Sequence, residues 1–283
     1  MAMKCETTAR LKACELDMLK AFIAVCDRLS LKYFLVEGTL LGAVRHEGFI
    51  PWDDDIDVAM PRVDYERFLQ EAPKYLPSHY FVQSIYSEPE YYLRFAKLRD
   101  SRTTFIEAAL KRKMVNHGVY IDIFPLDYLH DNHYRRFLNK IGLFACDLRI
   151  MKLLSFQNTK TSVIKRILKK ILSVYAAYKY PKLEQALRAR EILSAASNSG
   201  KWVTNYGSVY GRKEIMPEAW YGAGVLLNFE GLSARVPIQY DKWLKQIYGD
   251  YMQLPPPEQQ VAHHHAEVID LDKPYTEYVK VKD

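Results

Sequence analysis

The sequence predicts an α+β fold in which a mixed sheet core is flanked by helices and carries a helical insertion. Strand patterns and helix patterns alternate up to about residue 125, as a sheet with crossing helices requires. Helical periodicity alone follows from about residue 134 to residue 196, and mixed patterns return from Trp202. A chain of 283 residues with 49% hydrophobic residues can build a substantial core.

Each predicted element rests on a local pattern. Apolar residues at helical spacing predict an amphipathic helix over Thr8–Leu29. Aromatic and β-branched runs, or alternating acidic and apolar residues, predict strands, and prolines mark helix starts and ends. The predicted strands are Lys32–Val36, Asp55–Met60, Tyr80–Ile85, Tyr92–Leu98, Val119–Phe124 and Gly224–Phe229. The other predicted helices are Leu40–Val44, Val63–Leu76, Tyr134–Leu154, Ser162–Tyr178, Lys182–Ala196 and Ile238–Tyr248.

These patterns divide the chain into three units. Residues 1–130 form the predicted catalytic core with its N-terminal helix, residues 131–198 form a basic helical insertion, and residues 199–283 form a mixed C-terminal region that completes the site. The polar tail from Gln259 is expected to run partly extended over the surface.

Cysteine spacing and the distribution of charged residues indicate the cellular compartment of the protein. The four cysteines include no C-x-x-C pair, which favours reduced thiols over a zinc knuckle or a disulfide framework. The first residues are too charged for a signal peptide, and the uncharged stretches fall well short of the roughly 20 residues that cross a bilayer. We therefore expect a cytoplasmic protein, with the inner face of the membrane as a further option.

An acidic cluster dominates the stretch from Glu37 to Asp57, which reads EGTLLGAVRHEGFIPWDDDID. Asp53, Asp54, Asp55 and Asp57 repel one another unless a cation lies between them. Asp55 and Asp57 alternate with an apolar residue, so on a strand both carboxylates share one face and can hold Mg²⁺. The alternative is a solvated acidic loop.

Two further features extend this pattern. Gly38 and Thr39 follow a strand and open a helix, so they can receive a phosphate or form a simple turn with a threonine cap. Asp122 is a lone acid in an apolar strand and is the natural third carboxylate, because burying it alone is costly. This combination of a phosphate-accepting turn, a pair of acids on one strand and a third acid on a neighbouring strand resembles the site of the polymerase beta-like nucleotidyltransferase superfamily.

The resemblance becomes closer over longer segments: GTLLGAVRHEGFIPWDDDIDVAMPRVDYERFL, RFAKLRDSRTTF, GVYIDIFPLD and YGDYMQLPPP, the last followed by His263 and His264. These segments are similar to the LicD/fukutin-type phosphotransferase family and run from residue 37 to about residue 265. The resemblance implies a nucleotidyltransferase fold that moves a phospho-alcohol, such as phosphocholine or phosphoribitol, from a CDP-linked donor onto a glycan hydroxyl and releases CMP.

The resemblance implies that Asp55 and Asp57 correspond to the metal-binding pair of the family and that Asp122 corresponds to its third acid. These residues are expected to be catalytic and to bind Mg²⁺ or Mn²⁺, with two ions expected and Asp122 as a candidate proton acceptor. Asp53 and Asp54 are expected to orient the loop or bind outer-shell water rather than the ion.

Several residues are candidates for contact with the donor, each with an alternative. Arg45, Lys97 and Arg99 either neutralise its pyrophosphate or form ordinary salt bridges with the acidic loop. Trp52 either stacks on a base or fills the core. His263 and His264, which fall on a histidine pair of the family, either lie beside phosphate or belong to a surface loop; His265 follows them.

Positive charge is concentrated in the helical insertion. Fourteen Lys or Arg and two acidic residues lie between Arg135 and Arg190. Within it, residues 162–178 place an apolar stripe beside lysines, typical of a helix that packs on the protein or lies on an anionic membrane. The absence of aromatic interleaving argues against nucleic acid as a partner.

Three functional alternatives remain at this level. A nucleotidylyltransferase would use the same acids but leave NMP on a sugar or small molecule and release pyrophosphate. A DxD glycosyltransferase is disfavoured by Gly38, Thr39 and Asp122. A non-catalytic nucleotide-binding module is disfavoured by the intact acid set. The alcohol, the acceptor sugar and the oligomeric state are not determined by the sequence.

Overall fold

The computed structural model describes residues 2–154, 163–261 and 266–279. Its helices are α1 (Ala2–Leu29), α2 (Glu37–His46), α3 (Arg62–Glu71), α4 (His133–Leu153), α5 (Val163–Lys179), α6 (Leu183–Ser194) and α7 (Tyr240–Tyr248). Its strands are β1 (Phe34–Leu35), β2 (Asp57–Pro61), β3 (Tyr80–Gln83), β4 (Ala96–Asp100), β5 (Thr104–Glu107), β6 (Val119–Tyr128), β7 (Trp202–Thr204), β8 (Met216–Pro217), β9 (Val225–Phe229), β10 (Leu232–Val236) and β11 (Ala266–Asp270).

The central sheet is mixed. Its strands follow the order β1-β2-β6-β4-β3, and β7 joins the end of β6 and pairs with β8. β2 and β6 run parallel, whereas β1, β4 and β3 pair antiparallel with their neighbours. Helices α4 to α6 are inserted between β6 and β7. The predicted α+β class, with a mixed sheet, flanking helices and a helical insertion, is confirmed.

Helix α1 covers the sheet with the stripe predicted from its sequence. Leu11, Met18, Phe22 and Cys26 are buried at helical spacing and pack into the main core, and α1 contacts β6. The cysteines with described side chains, Cys14, Cys26 and Cys146, are free thiols.

Long-range pairing created strands that local patterns did not predict. β5 pairs antiparallel with β11, which lies in the tail that was expected to extend over the surface. β10, which was not predicted either, pairs in a separate hairpin with β9, the strand predicted at Gly224–Phe229. The strand predicted from Asp55 begins at Asp57, and the strand predicted from Tyr92 begins at Ala96. The first residue of each strand is set by its pairing with β6, which begins at Asp57 in β2 and at Ala96 in β4.

The helical insertion is attached to the sheet through a second small core and a buried ion-pair network. α4 packs against α5 and α6, and apolar residues of α4 and α6 meet Tyr91 and Leu110. Arg62 of α3 donates hydrogen bonds to Asp127 of β6 and Glu191 of α6. The division into three units at residues 130 and 198 stays a prediction. Among the helices of the described ranges, none has both the length and the apolar character to span a membrane.

Candidate active site

The parallel pairing of β2 and β6 brings two predicted site residues together. Asp57 lies directly opposite Asp122, and Lys97 of β4 lies opposite Asp122 on its other side. Residues paired in this way project from the same face of a sheet. Asp57 and Asp122 are 6% and 7% exposed, so both carboxylates are almost removed from water.

The start of α2 is joined to both parts of the acidic segment. The Thr39 hydroxyl accepts a 2.8 Å hydrogen bond from the backbone N–H of Asp57. A Cβ atom built on Gly38 would lie 2.5 Å from Oδ2 of Asp53, so this carboxylate packs directly against the glycine. The first N–H groups of a helix have no partner within the helix and favour an anion. The Asp53 side chain therefore contacts the turn at which the sequence predicts a phosphate.

The acidic loop forms a tighter group than the one predicted. Among the described residues, Asp53, Asp54 and Asp55 are the group of three carboxylates whose oxygens all lie within 4.8 Å of one another. The predicted metal set was Asp55, Asp57 and Asp122. Asp55 belongs to the loop group, and after burial it is the charge that contributes most to the raised pKa of Asp57, so it interacts with both groups.

Negative charge accumulates around these groups. Burial raises the pKa of Asp57 well above its ordinary value, and Asp55, Glu37 and Asp122 raise it further. Glu15 of α1 is 3% exposed, and its Oε2 has no hydrogen-bond partner. Burial and the carboxylates of Asp55 and Asp54 raise the pKa of Glu15 well above its ordinary value. A concentration of hard oxygen ligands with an orphaned buried oxygen beside it fits a divalent cation such as Mg²⁺.

Lys97 is built into this face of the sheet. Its ammonium donates a 2.7 Å hydrogen bond to Oδ1 of Asp122 and lies 3.1 Å from Oε1 of Glu107. It also stacks on the Tyr120 ring, 3.3 Å from the ring centroid. The lysine is 1% exposed, so its positive charge interacts with the protein groups around Asp122 rather than with solvent.

Arg99 shares the face of Lys97, as predicted, but its partners are deeper in the protein. The guanidinium is fully buried and donates to Gln83, the Gly118 carbonyl and Glu107. Burial acts to raise the pKa of Glu107, but Lys97 and Arg99 outweigh it and lower that pKa to about 2. The geometry favours the salt-bridge alternative for Arg99, with Glu107 rather than the acidic loop as the partner.

The C-terminal region contributes Glu214, which forms with Glu37 of α2 a buried carboxyl pair that the sequence did not predict. Asn205 donates a hydrogen bond to Glu37, and Ser208 donates one to Glu214. Burial, then the neighbouring Glu214, raises the pKa of Glu37 to about 8, and burial raises the pKa of Glu214 to about 7. Glu37 also has a positive φ of 49°, which is unusual for a residue other than glycine. No local pattern around Glu214 marks it, because its partner lies far away in sequence.

Arg45 and Trp52 form a third part of the site. Arg45 lies in the last turn of α2, at the opposite end from Gly38, and donates to the Tyr251 carbonyl and to His46. Its guanidinium lies 5.9 Å from the Trp52 ring centroid. Trp52 is half-buried against the core and keeps one side accessible, so both alternatives for it remain open. Burial lowers the pKa of Arg45, and Tyr248, which is hydrogen-bonded to Tyr210, acts against this by raising it.

His263, His264 and His265 lie outside the described residues. Their predicted place beside phosphate stays a prediction.

Comparison with known proteins decides the family. A family model described as LicD/FKTN/FKRP, nucleotidyltransferase domain, matches residues 30–141, which hold α2, the acidic loop, β2, β4 and β6. The lipopolysaccharide cholinephosphotransferase LicD of Haemophilus influenzae is 32% identical over 269 residues, covering 90% of this chain and 95% of the relative. The chain belongs to the LicD family.

Membership in the LicD family confirms the predicted class of enzyme, a phosphotransferase. Two shorter similarities involve uncharacterized proteins. One, from Rickettsia typhi, is 33% identical over 103 residues, which is 36% of this chain and 31% of the relative. The other, from Rickettsia prowazekii, is 43% identical over 53 residues, which is 19% of this chain and 20% of the relative. The similarity to the Haemophilus relative covers 90% of this chain, so it extends beyond the family model into the helical insertion and the C-terminal region.

Proposed function

We propose that the protein transfers a phospho-alcohol, with phosphocholine as the first choice, from a CDP-linked donor onto a sugar hydroxyl of a lipopolysaccharide or similar surface glycan. The observation that carries this proposal is the similarity to a lipopolysaccharide cholinephosphotransferase along almost the whole chain. The match includes the C-terminal region, which supplies Asn205, Glu214 and Tyr251 to the candidate site.

The proposed reaction depends on Mg²⁺ or Mn²⁺, with two ions. Asp55, Asp57 and Asp122 would hold them, with Asp53 and Asp54 orienting the loop. A bound divalent ion would neutralise charge on the phosphate oxygens and on the leaving phosphate of CMP. The oxygen-rich donor set and the orphaned Oε2 of Glu15 support such a cation.

The protein's own groups suit a direct displacement. The acceptor hydroxyl oxygen forms a bond to the phosphorus that carries the alcohol, the bond from that phosphorus to the CMP oxygen breaks, and CMP leaves. Asp122 is the proposed acceptor of the hydroxyl proton, and Lys97 holds its carboxylate in place. Gly38 and Thr39 at the start of α2, with Arg45, His263 and His264, are proposed to contact the donor phosphates.

The test incubates the purified protein with CDP-choline, CDP-ribitol, CDP-glycerol or nucleoside triphosphates, in each case with lipopolysaccharide-derived oligosaccharide acceptors and Mg²⁺. Mass spectrometry follows the acceptor and the released nucleotide. We expect CMP release with a gain of phosphocholine on the acceptor, and loss of both with a chelator. Asp57→Asn should abolish transfer, whereas Asp250→Asn, which alters an exposed aspartate, serves as the matched control.

Other outcomes would replace the proposal. Pyrophosphate release with a nucleotidyl acceptor would identify a nucleotidylyltransferase. Binding of CDP-alcohols without turnover on any acceptor would identify a nucleotide-binding module. Full activity of Asp57→Asn would overturn the assignment of the metal ligands whatever the donor.

A further inference from the structure

Helix α5 presents an apolar stripe to solvent. Ile171, Val174, Tyr175 and Tyr178 are spaced i, i+3, i+4 and i+7, which places them on one face of a helix. They are 61%, 66%, 50% and 90% exposed. A helix that uses its apolar face to join a core would bury such a stripe, and here the stripe is left outside.

The opposite side of α5 is attached to the protein. Ala176 is fully buried, and α5 packs against α4. The end of the helix is fixed because Arg149 of α4 donates a 2.8 Å hydrogen bond to the Tyr180 carbonyl. The orientation of α5 is therefore set by α4, and the exposed stripe faces away from the rest of the insertion.

Positive charge borders this stripe. At 100° per residue, Lys170 and Lys179 lie on its two sides, and both are exposed. The Lys179 ammonium lies 3.1 Å from the Tyr175 hydroxyl, at the edge of the stripe. The α5 sequence contains no Asp or Glu, and residues 135–190 carry a net charge of +12. An apolar face bordered by lysines is complementary to the headgroups of anionic lipids.

We propose that the exposed face of α5 docks on the surface of an anionic lipid bilayer. Ile171, Val174 and Tyr178 enter the boundary between headgroups and acyl chains, and Lys170 and Lys179 bind lipid phosphates. A second copy of the chain fits this face less well, because pairing two α5 helices would bring like charges together. Membrane binding by α5 does not depend on the transfer reaction, so it can be tested separately from the proposed function.

The test is flotation of the full chain with vesicles of phosphatidylglycerol and phosphatidylcholine, compared with phosphatidylcholine alone. We expect co-flotation with the anionic vesicles at low salt and loss of binding at high salt. The triple variant Ile171→Ser, Val174→Ser, Tyr178→Ser should weaken binding by about tenfold or more. Its matched control is Val63→Ser with Val209→Ser, which removes exposed apolar side chains from other parts of the surface.

A charge variant separates the electrostatic contribution. Lys170→Glu with Lys179→Glu should also weaken binding, and Lys74→Glu, an exposed lysine outside the insertion, should not. Circular dichroism and thermal unfolding establish that each variant is folded. The proposal is overturned if wild type does not float with anionic vesicles, if both α5 variants bind as wild type does, or if the stripe instead mediates a concentration-dependent dimer.

Discussion

The Lys97 ammonium donates a 2.7 Å hydrogen bond to the Asp122 carboxylate from the neighbouring strand of the sheet. On its other side Asp122 faces Asp57. The third acid of the candidate site is thus held between a cation and another carboxylate, in a face that is almost closed to water. This arrangement orients Asp122. In the strand register Asp122 lies opposite Lys97, whereas Asp57 lies opposite Asp122 and not opposite a lysine.

Removing the lysine should damage both stability and activity. Lys97→Met removes the cation shared by the buried Asp122 and the half-buried Glu107, so we expect a loss of roughly 3–5 kcal/mol in the free energy of unfolding. Transfer should fall together with stability, because Asp122 loses its orientation. Urea unfolding and the transfer assay measure the two effects.

Lys245→Met provides the comparison for that loss. Its pair with Asp241 on α7 is exposed and screened by water, so the substitution should change the free energy of unfolding very little. Equal losses in the two variants would show that the buried network around Asp122 is not the stabilising feature inferred here.

Metal ions should stabilise the folded protein through the same carboxylates. Mg²⁺ or Mn²⁺ should raise Tm of the wild type relative to chelator, because an ion that binds only the folded state shifts the folding equilibrium towards that state. Asp57→Asn should raise Tm in chelator, because it removes a carboxyl group whose ionised form is disfavoured by burial and by Asp55, Glu37 and Asp122. The variant should also lose most of the shift in Tm that metal causes. Differential scanning fluorimetry checks this, with Asp250→Asn as control. A full metal shift in Asp57→Asn would remove Asp57 from the binding set.

Stability should fall as the pH rises from about 4.5 to 8. Burial raises the pKa of Glu37 from 4.5 to about 8 and that of Glu214 to about 7, so the folded protein keeps protons that the unfolded chain releases. The folded state therefore binds more protons across this range, and the free energy of unfolding declines with pH. Urea unfolding at several pH values in chelator measures the decline.

Glu214→Gln should flatten that pH dependence, because the amide stays neutral and relieves Glu37 of a neighbouring charge. Glu218→Gln, which changes an exposed glutamate nearby, should leave the slope as it is in the wild type. A slope unaffected by Glu214→Gln would exclude this pair as its source.

The ion pairs under the helical insertion should hold it to the sheet. Arg62 donates at 2.6 Å and 2.8 Å to Asp127 and at 3.0 Å to Glu191 of α6, and all three residues are buried. Arg62→Met should cost roughly 3–5 kcal/mol, since it leaves two buried acids without their cation. Hydrogen exchange should show faster opening in α6. Arg188→Met breaks an exposed pair with Glu184 on the same helix and should cost about 0.5 kcal/mol or less. Similar losses of stability in Arg62→Met and Arg188→Met would refute the prediction.

Two helix-interior glycines should respond in different ways to alanine. A Cβ on Gly42 of α2 would lie 2.4 Å from the backbone oxygen of Gly48, so Gly42→Ala must displace the loop that leads to the acidic residues. A Cβ on Gly142 of α4 would meet a Leu193 methyl group at 3.0 Å, and that side chain can move. Gly42→Ala should therefore lower Tm and weaken transfer, despite the gain in helix propensity that alanine brings.

Gly142→Ala is the matched control and should change Tm little. If Gly42→Ala were as stable as the wild type, the loop after α2 would be free to shift, and its close contact would have no part in positioning Asp53–Asp55.

The sequence alone determined the features that depend on local period and on single positions. The buried stripe of α1 follows from helical spacing, Asp57 was identified from its alternation with Asp55 across an apolar residue, and Asp122 was identified as a lone acid in an apolar strand. The α+β class follows from the alternation of these patterns. Each of these properties is contained within one element, so neighbouring residues were sufficient to predict it.

Only the tertiary structure decided which distant groups meet. Glu37 and Glu214 are brought together across more than half of the chain, and Glu15 reaches the acidic loop from α1. Arg99 turns to Glu107 because β4, β5 and β6 converge around it, and the stripe of α5 stays exposed because α4 takes the opposite side. Periodicity defines which residues share a face, but the direction of that face depends on the packing of elements that are remote in sequence.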